Sequence, residues 1–430
     1  MGQLGNEDER VTSTKPFDIY KRRVLEAYWH VKANRGVAGI DGESLAMFEA
    51  DLSRNLYKLW NRLASGSYFP PPVRRVEIPK KDKGVRILGI PTVADGGAQQ
   101  VVKARIEGEL EMPFHPDSYG YRPNKSTADA VAATRERCWK YDWCVEFDIR
   151  RAFDELDWGL LRKAIRKHVK DPWALLYIEP WLTALAVSPD GQPVRRTKGV
   201  PQGSVIAPAL MNLFMHCGFD ASMQREHPRN PFARYCDDAV AHCRSESEAK
   251  ALLAAMERRL QECKLEMHPE KSGVVYCKDA GRRGSYSRIQ FTFLGYTFRP
   301  RKVKTRNGRA WTSFLPAVSA AATKRMNRII REWHLPRQTP ISLNELATRY
   351  NATLRGWLNY YGRFYKSALR RVFDHFDQQL LRWARRKYGK FAGSMRLSHR
   401  WLQKMIRRVP RLFIHWLAFG RVPVRTMGAV

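Results

Sequence analysis

The chain has 430 residues and a mass of 49.9 kDa, with 76 Lys and Arg against 42 Asp and Glu, a formal net charge of +34 at pH 7. At 44% hydrophobic and 11% aromatic it can bury a core, which excludes a disordered chain, and its charge points to a polyanionic partner, nucleic acid first, over a merely basic soluble protein. Seven cysteines without a CxxC pair or zinc-type Cys/His spacing exclude a disulfide framework or a zinc module. They read as reduced core thiols. The opening MGQLGNEDER is no signal peptide, and no apolar run reaches spanning length, so a cytoplasmic protein with no membrane partner is expected.

In chain order, residues 17–66 carry apolar positions at helical spacing, broken by the turn Gly39-Ile40-Asp41-Gly42. Residues 73–91 alternate as two strands around a basic tip at 80–84, and 96–111 return to helix. WCVEFDI (143–149) predicts a buried strand ending in a carboxylate. Residues 155–186 read as helical, 198–204 as a Gly/Pro turn and 207–223 as an apolar helix. FARYCDDAVAHC (232–243) predicts a hairpin with two aspartates at its bend. An amphipathic helix follows over 247–263, capped by Ser245, and 273–298 read as strand. Residues 299–309 look like a basic turn or linker at a composition boundary, because 301–430 hold 29 Lys and Arg and 4 Asp and Glu, and so +25 of the charge. Beyond 315 the pattern is helical, over 319–333, 343–361, 369–388 and 398–408.

The chemistry is carried by acids. Asp148 ends a hydrophobic strand, and Asp237 and Asp238 sit between apolar strand-like segments. Asp is common at hairpin bends. Carboxylates meeting near a core, however, are costly unless a cation neutralises them, and three on neighbouring strands would suit two Mg²⁺ ions. Such a pair of ions serves in-line phosphoryl transfer.

Here the residues meet a family. NRGVAGIDG (34–42), IPKKDKGVRILGIPTVAD (78–95), HPDSYGYRPNKSTADAV (115–131), FDIRRAFDELDW (147–158), KGVPQGSVIAP (198–208), RYCDDAV (234–240), LEMHPEKS (265–272), FTFLGYTFRPR (291–301) and RGWLNYYGRF (355–364) resemble, in order and spacing, the blocks of group II intron-encoded reverse transcriptases, or maturases. The resemblance implies an α+β right-hand polymerase, with fingers and an antiparallel palm sheet followed by an α-helical thumb. It divides the chain into an N-terminal extension (1–70), fingers and palm (71–300), a helical maturase or thumb domain (301–390) and a short basic DNA-contacting region (391–430). It implies a Mg²⁺-dependent RNA-directed DNA polymerase (two ions, replaceable by Mn²⁺ in vitro) in the bacterial cytosol. Its partners would be an RNA template, structured intron RNA above all, a DNA primer or target and dNTPs, with the oligomeric state left open, a dimer included.

Carried over residue by residue, the resemblance makes Asp148, Asp237 and Asp238 the metal-binding catalytic triad. Lys80, Arg86, Phe153 and Gln202 become dNTP contacts, with Phe153 excluding a ribose 2′-OH. Tyr235, Cys236, Gly203 and Lys271 become template–primer contacts. On the later helices Lys324, Arg325, Arg328, Arg331, Arg363 and Arg370 are nearly unopposed charges, which suits a thumb gripping duplex or structured RNA. Some positions depart from the family pattern. Cys236 replaces the usual Ala, Gly203-Ser204 a Gly-Gly, Ala207-Pro208 a Ser-Pro, and Asp95-Gly96 an Asp-Arg. Cys236 is therefore expected to alter primer preference. Two alternatives stand beside the intron enzyme: a free-standing relative with a host role in DNA repair or phage defence, and an RNA-binding splicing factor without polymerase activity.

Overall fold

The computed structural model describes residues 15–79, 85–304, 308 and 310–420. Among them are strands β1 (Val73–Pro79), β2 (Val85–Ile90), β3 (Trp143–Phe147), β4 (Ala186–Val187), β5 (Pro193–Val194), β6 (Phe232–Tyr235), β7 (Asp238–Cys243), β8 (Gly273–Tyr276), β9 (Phe291–Phe293), β10 (Tyr296–Lys304) and β11 (Ala310–Val318). They form sheets in the orders β2-β1-β4-β5, β6-β7-β3-β8 and β11-β10-β9. After Val318 the described chain is helical. The class is therefore mixed helix and sheet with a helical C-terminal region. No helix of the described residues is long and apolar enough to cross a membrane.

Two compact units are formed, one within 1–130, 145–241 and 247–273, the other within 131–144, 242–246 and 274–430. In the first, the helices Lys21–Ala33, Leu45–Ala50 and Leu52–Ser65 bring Tyr28 and Phe48 against Val93. Val93 opens the helix Val93–Glu111, whose first turn is capped by Thr92, its Oγ1 accepting from Asp95 N at 3.1 Å. Phe147 of β3 packs edge-to-face on Phe219, and Phe219 on Phe232 of β6. The apolar run at 207–223 is one helical path with a wider turn in it: α-helix over Ala207–Met215, π-helix over His216–Asp220, then α-helix over Ala221–Glu226. Each such insertion shifts the helix face by a residue.

In the second unit, the basic stretch expected as a linker is strand. β10 and β11 pair antiparallel through nine residues, from Tyr296↔Val318 to Lys304↔Ala310, and residues 305–307 and 309 lie outside the described residues. Pro300 is tolerated because β9 pairs β10 only at Tyr296–Phe298, which leaves the edge at Pro300 open. The strand expected over 273–298 is interrupted: 277–290 hold none. Helices follow at Ala320–Glu332, Leu343–Tyr365, Arg370–Lys387, Met395–Arg408 and Ile414–Ala418. Ser342 and Glu345 form a capping box at the second of these. Helices Thr127–Lys140 and Ile414–Ala418 were not anticipated from the sequence.

Candidate active site

The β6–β7 hairpin turns through two residues, Cys236 and Asp237, with Tyr235↔Asp238 as its last pair. Cys236 has φ +63°, a conformation that favours glycine, so a side chain here is held against backbone preference. Arg234, one residue before Tyr235, holds it. Its side chain is fully buried and makes a two-pronged ion pair with Asp220, both contacts at 2.6 Å. Nη1 also donates to the carbonyl of Cys236 (2.7 Å) and to Asn212 Oδ1 (3.1 Å), and Nη2 to Ser118 Oγ (2.8 Å). Burial opposes a charge on Asp220, but Arg234 outweighs it and holds the carboxyl below its usual range. Segment 117–120 seals the other side: Tyr119 N donates to the Arg234 carbonyl (2.8 Å), and a Cβ on Gly120 would lie 2.5 Å from Cys236 N. Only glycine fits there.

Asp148 follows β3. Its backbone is clasped by 265–272: His268 N donates to the Asp148 carbonyl (2.7 Å), and Asp148 N donates to Ser272 Oγ (3.0 Å). Lys271 Nζ stands 3.5 Å from Asp148 Oδ2. Burial raises the Asp237 carboxyl, the Asp148 charge raises it further, and Arg86 and Arg234 pull it down. Asp237 thus has Asp148 as a repelling acidic neighbour. Asp238 begins β7 beside them, yet among the described residues no three His, Cys, Asp or Glu side chains converge as a ready-made cage. The donors are hard carboxylate oxygens, and the mutual repulsion of Asp148 and Asp237 is what a divalent cation relieves, so the residues fit Mg²⁺.

The other expected contacts are spread over several elements. Phe153 lies on the short helix Ala152–Glu155, and its carbonyl accepts from Val200 N (2.8 Å). The Gln202 carbonyl accepts from Gly89 N of β2 (2.8 Å), and Gly203, at φ +105°, lies against the Gly89 carbonyl. Arg86 is exposed on β2, opposite Ile78. Lys80 lies outside the described residues. Tyr235 is half-buried, and Cys236 is buried, its thiol pushed up by burial and by Asp237. In the second unit Lys324, Arg325, Arg328, Arg331, Arg363 and Arg370 are all exposed.

Sequence reasoning passed over Arg234 and Tyr121. Arg234 looks like an ordinary strand charge, and only its place directly before the Tyr-Cys-Asp-Asp turn could have flagged it. Tyr121 is 55% exposed with φ +54°, its ring 5.7 Å from that of Tyr235. It lies inside the block HPDSYGYRPNKSTADAV (115–131), where nothing in the sequence distinguishes it from its neighbours.

Residues 78–298 match the family described as reverse transcriptase (RNA-dependent DNA polymerase), and residues 323–407 match the group II intron maturase-specific domain. Protein YkfC of Escherichia coli is 35% identical over 184 residues, 41% of this chain and 48% of that protein. Group II intron-encoded protein LtrA of Lactococcus lactis is 30% identical over 260 residues, 56% of this chain and 42% of LtrA. A putative COX1/OXI3 intron 2 protein of Saccharomyces cerevisiae is 25% identical over 243 residues, 54% of this chain and 28% of that protein. The chain spans half or less of the length of these relatives. With the reverse transcriptase match covering half of its length and the maturase-specific domain following in order, the chain belongs to the group II intron reverse transcriptase/maturase family.

Proposed function

We propose that this chain is a Mg²⁺-dependent RNA-directed DNA polymerase of the group II intron type, which binds structured intron RNA, assists its splicing and copies it into cDNA during retrohoming. The observation that carries the reading is Asp237 at the hairpin turn, directly after left-handed Cys236 and near enough to Asp148 and Arg86 to feel both charges. Asp148 and Asp237 would hold the metal, with Asp238 as the third acid, and a pair of Mg²⁺ ions there would supply activation of the primer 3′-OH and neutralisation of the leaving pyrophosphate. Arg86 and Lys80 take the triphosphate oxygens. Phe153 crowds the sugar at its 2′ position and so selects deoxynucleotides. Gln202 and Gly203 border the nascent pair, and Tyr235 and Cys236 support the primer end. Lys271 balances part of the Asp148 charge. Lys324, Arg325, Arg328, Arg331, Arg363 and Arg370 bind the phosphates of RNA and duplex.

A second reading, a free-standing relative serving the host, is favoured by Cys236 in place of Ala at the turn. Ribozyme sequence flanking the gene separates the two. The polymerase itself is tested by primer extension on an RNA template with Mg²⁺ and dNTPs, comparing the chain with Asp237→Ala. Extension by the parent alone supports the reading. No extension by either, with tight salt-sensitive RNA binding, overturns it in favour of a splicing factor.

A further inference from the structure

The helix Val93–Glu111 buries two polar side chains one turn apart, Asp95 and Gln99, 0% and 1% exposed. Asp95 Oδ1 accepts from Tyr68 OH (2.7 Å) and Trp181 Nε1 (2.8 Å), and Oδ2 accepts from Gln99 Nε2 (2.9 Å). The other end of the Gln99 amide, Oε1, accepts from Ser204 Oγ (2.6 Å), Val205 N (2.8 Å) and Ile206 N (3.3 Å). Burial raises the Asp95 carboxyl and its three donors pull it down, and both of its oxygens accept. Backbone N–H groups can only donate, so the amide has one permitted orientation, Oε1 to the loop and Nε2 to Asp95. The loop it grips begins at Pro201. Its Gln202 carbonyl is bonded to Gly89 of β2, and Val200 N to the Phe153 carbonyl.

From this geometry we infer that Asp95 and Gln99 are positioning residues for the nucleotide site: Asp95 sets the polarity of the Gln99 amide, and that amide fixes the loop carrying Gln202 and Gly203. The inference rests on the polymerase reading above. It assigns these two residues a task that neither performs by touching substrate. Gly96, between them, is the residue standing where the family has Arg. The atoms nearest to a Cβ there would be side-chain carbons of Val31 and Val205, at 3.6–3.9 Å, so its nearest surroundings are apolar.

A swap of the two groups tests this polarity. In Asp95→Asn the new Nδ2 faces Gln99 Nε2. The Gln99 amide must turn over, and it then presents N–H groups to Val205 N–H and Ile206 N–H. In Gln99→Glu a second carboxylate faces Asp95. The double variant Asp95→Asn/Gln99→Glu restores every donor–acceptor pair: the amide introduced at position 95 donates to one oxygen of the carboxylate introduced at position 99, and the other oxygen accepts from the loop. The single variants should raise the dNTP KM about tenfold with little change in kcat, and the double should recover most of it. Hydrogen exchange across 200–210 gives a readout independent of activity: faster in each single variant, parent-like in the double. Exchange unchanged in Asp95→Asn, or a double variant no better than either single, overturns the inference. So does a parent-like KM in Asp95→Asn whose loop exchanges faster. A parent chain that extends no primer, with the exchange pattern as expected, counts instead against the polymerase reading.

Discussion

Replacing Arg234 with Met leaves the Asp220 carboxylate buried without its partner, which should cost about 3–5 kcal/mol by urea unfolding and abolish extension. Arg234→Lys keeps the charge but loses the fork that reaches Asp220, Asn212 and the Cys236 carbonyl together, so it should cost less stability yet still depress extension. Asp237 makes the opposite trade. Its carboxyl is raised by burial and by Asp148, and an acid raised in the folded state weakens folding once the pH climbs through that interval. Asp237→Asn should therefore melt higher than the parent at pH 7, match it near pH 3, and lose extension. With Asp237 as a ligand of the proposed Mg²⁺ site, added MgCl₂ should raise the melting temperature of the parent more than that of the variant. A variant that melts lower at pH 7 would refute the strain assigned to this acid. Cys236→Ala should extend short and long primers with a changed preference; identical preferences would remove Cys236 from primer selection. Asp148, Asp237 and Asp238 were legible as candidates because acids beside apolar runs are conspicuous. Arg234, Asp95 and Gln99 were not, because nothing in a sequence reveals which polar side chains are buried against one another.

Among the elements, β10 shows how composition misleads. Its Arg299, Arg301, Lys302 and Lys304 read as a basic turn or linker, yet Arg301 folds back to donate to the carbonyls of Thr297 and Leu315 and lies over the Tyr365 ring. Long basic side chains can cover a strand with their stems. The helix Ile414–Ala418 depends on contacts distant in sequence. Asn351 donates to the Leu412 carbonyl (2.8 Å) and accepts from Ile414 N (3.1 Å), while His415 and Trp416 donate to Asp377. Burial pushes the His415 imidazole down to about 3, the Asp374 charge opposing, and Nδ1 has no hydrogen-bond partner among the described residues, so the neutral ring is the form that fits. A base depressed in the folded state stabilises above its unfolded value and loses that contribution as the pH falls below about 6.5. Urea midpoints should therefore fall between pH 7 and pH 5, and His415→Asn should flatten that slope whatever it costs in packing. A slope identical in the two proteins would place the titration elsewhere.

For the molecule as a whole, the charge asymmetry is legible without structural help, since +25 of +34 lies beyond residue 300. Lys324, Arg325, Arg328 and Arg331 are exposed on one helix, and the only acid in its last turn, Glu332, meets Arg328 at 3.4 Å. Replacing all four with Gln should weaken RNA binding uniformly across sequences. It should also flatten the slope of log K against log salt by about 0.7–0.9 for each phosphate that is no longer neutralised. An unchanged slope would move the RNA to another surface. The order of blocks made the family readable at this scale, whereas the three sheets were not, because strand order depends on contacts between residues far apart in the chain.

The π-helical turn at His216–Asp220 has a bearing on how the gene can change. Asn212 and Asp220 both reach Arg234 although they are eight residues apart. In an unbroken α-helix, positions eight apart differ by about 80° around the axis, whereas positions seven apart differ by about 20°. The wider turn absorbs one residue and returns Asp220 to the face of Asn212. A single-codon deletion here would leave a regular helix with an unchanged circular dichroism spectrum, and it would still turn the counter-charge of Arg234 away from the hairpin. Length in this helix therefore matters to the site as much as composition does, and a relative that lacks the extra residue is expected to lack the buried arginine as well.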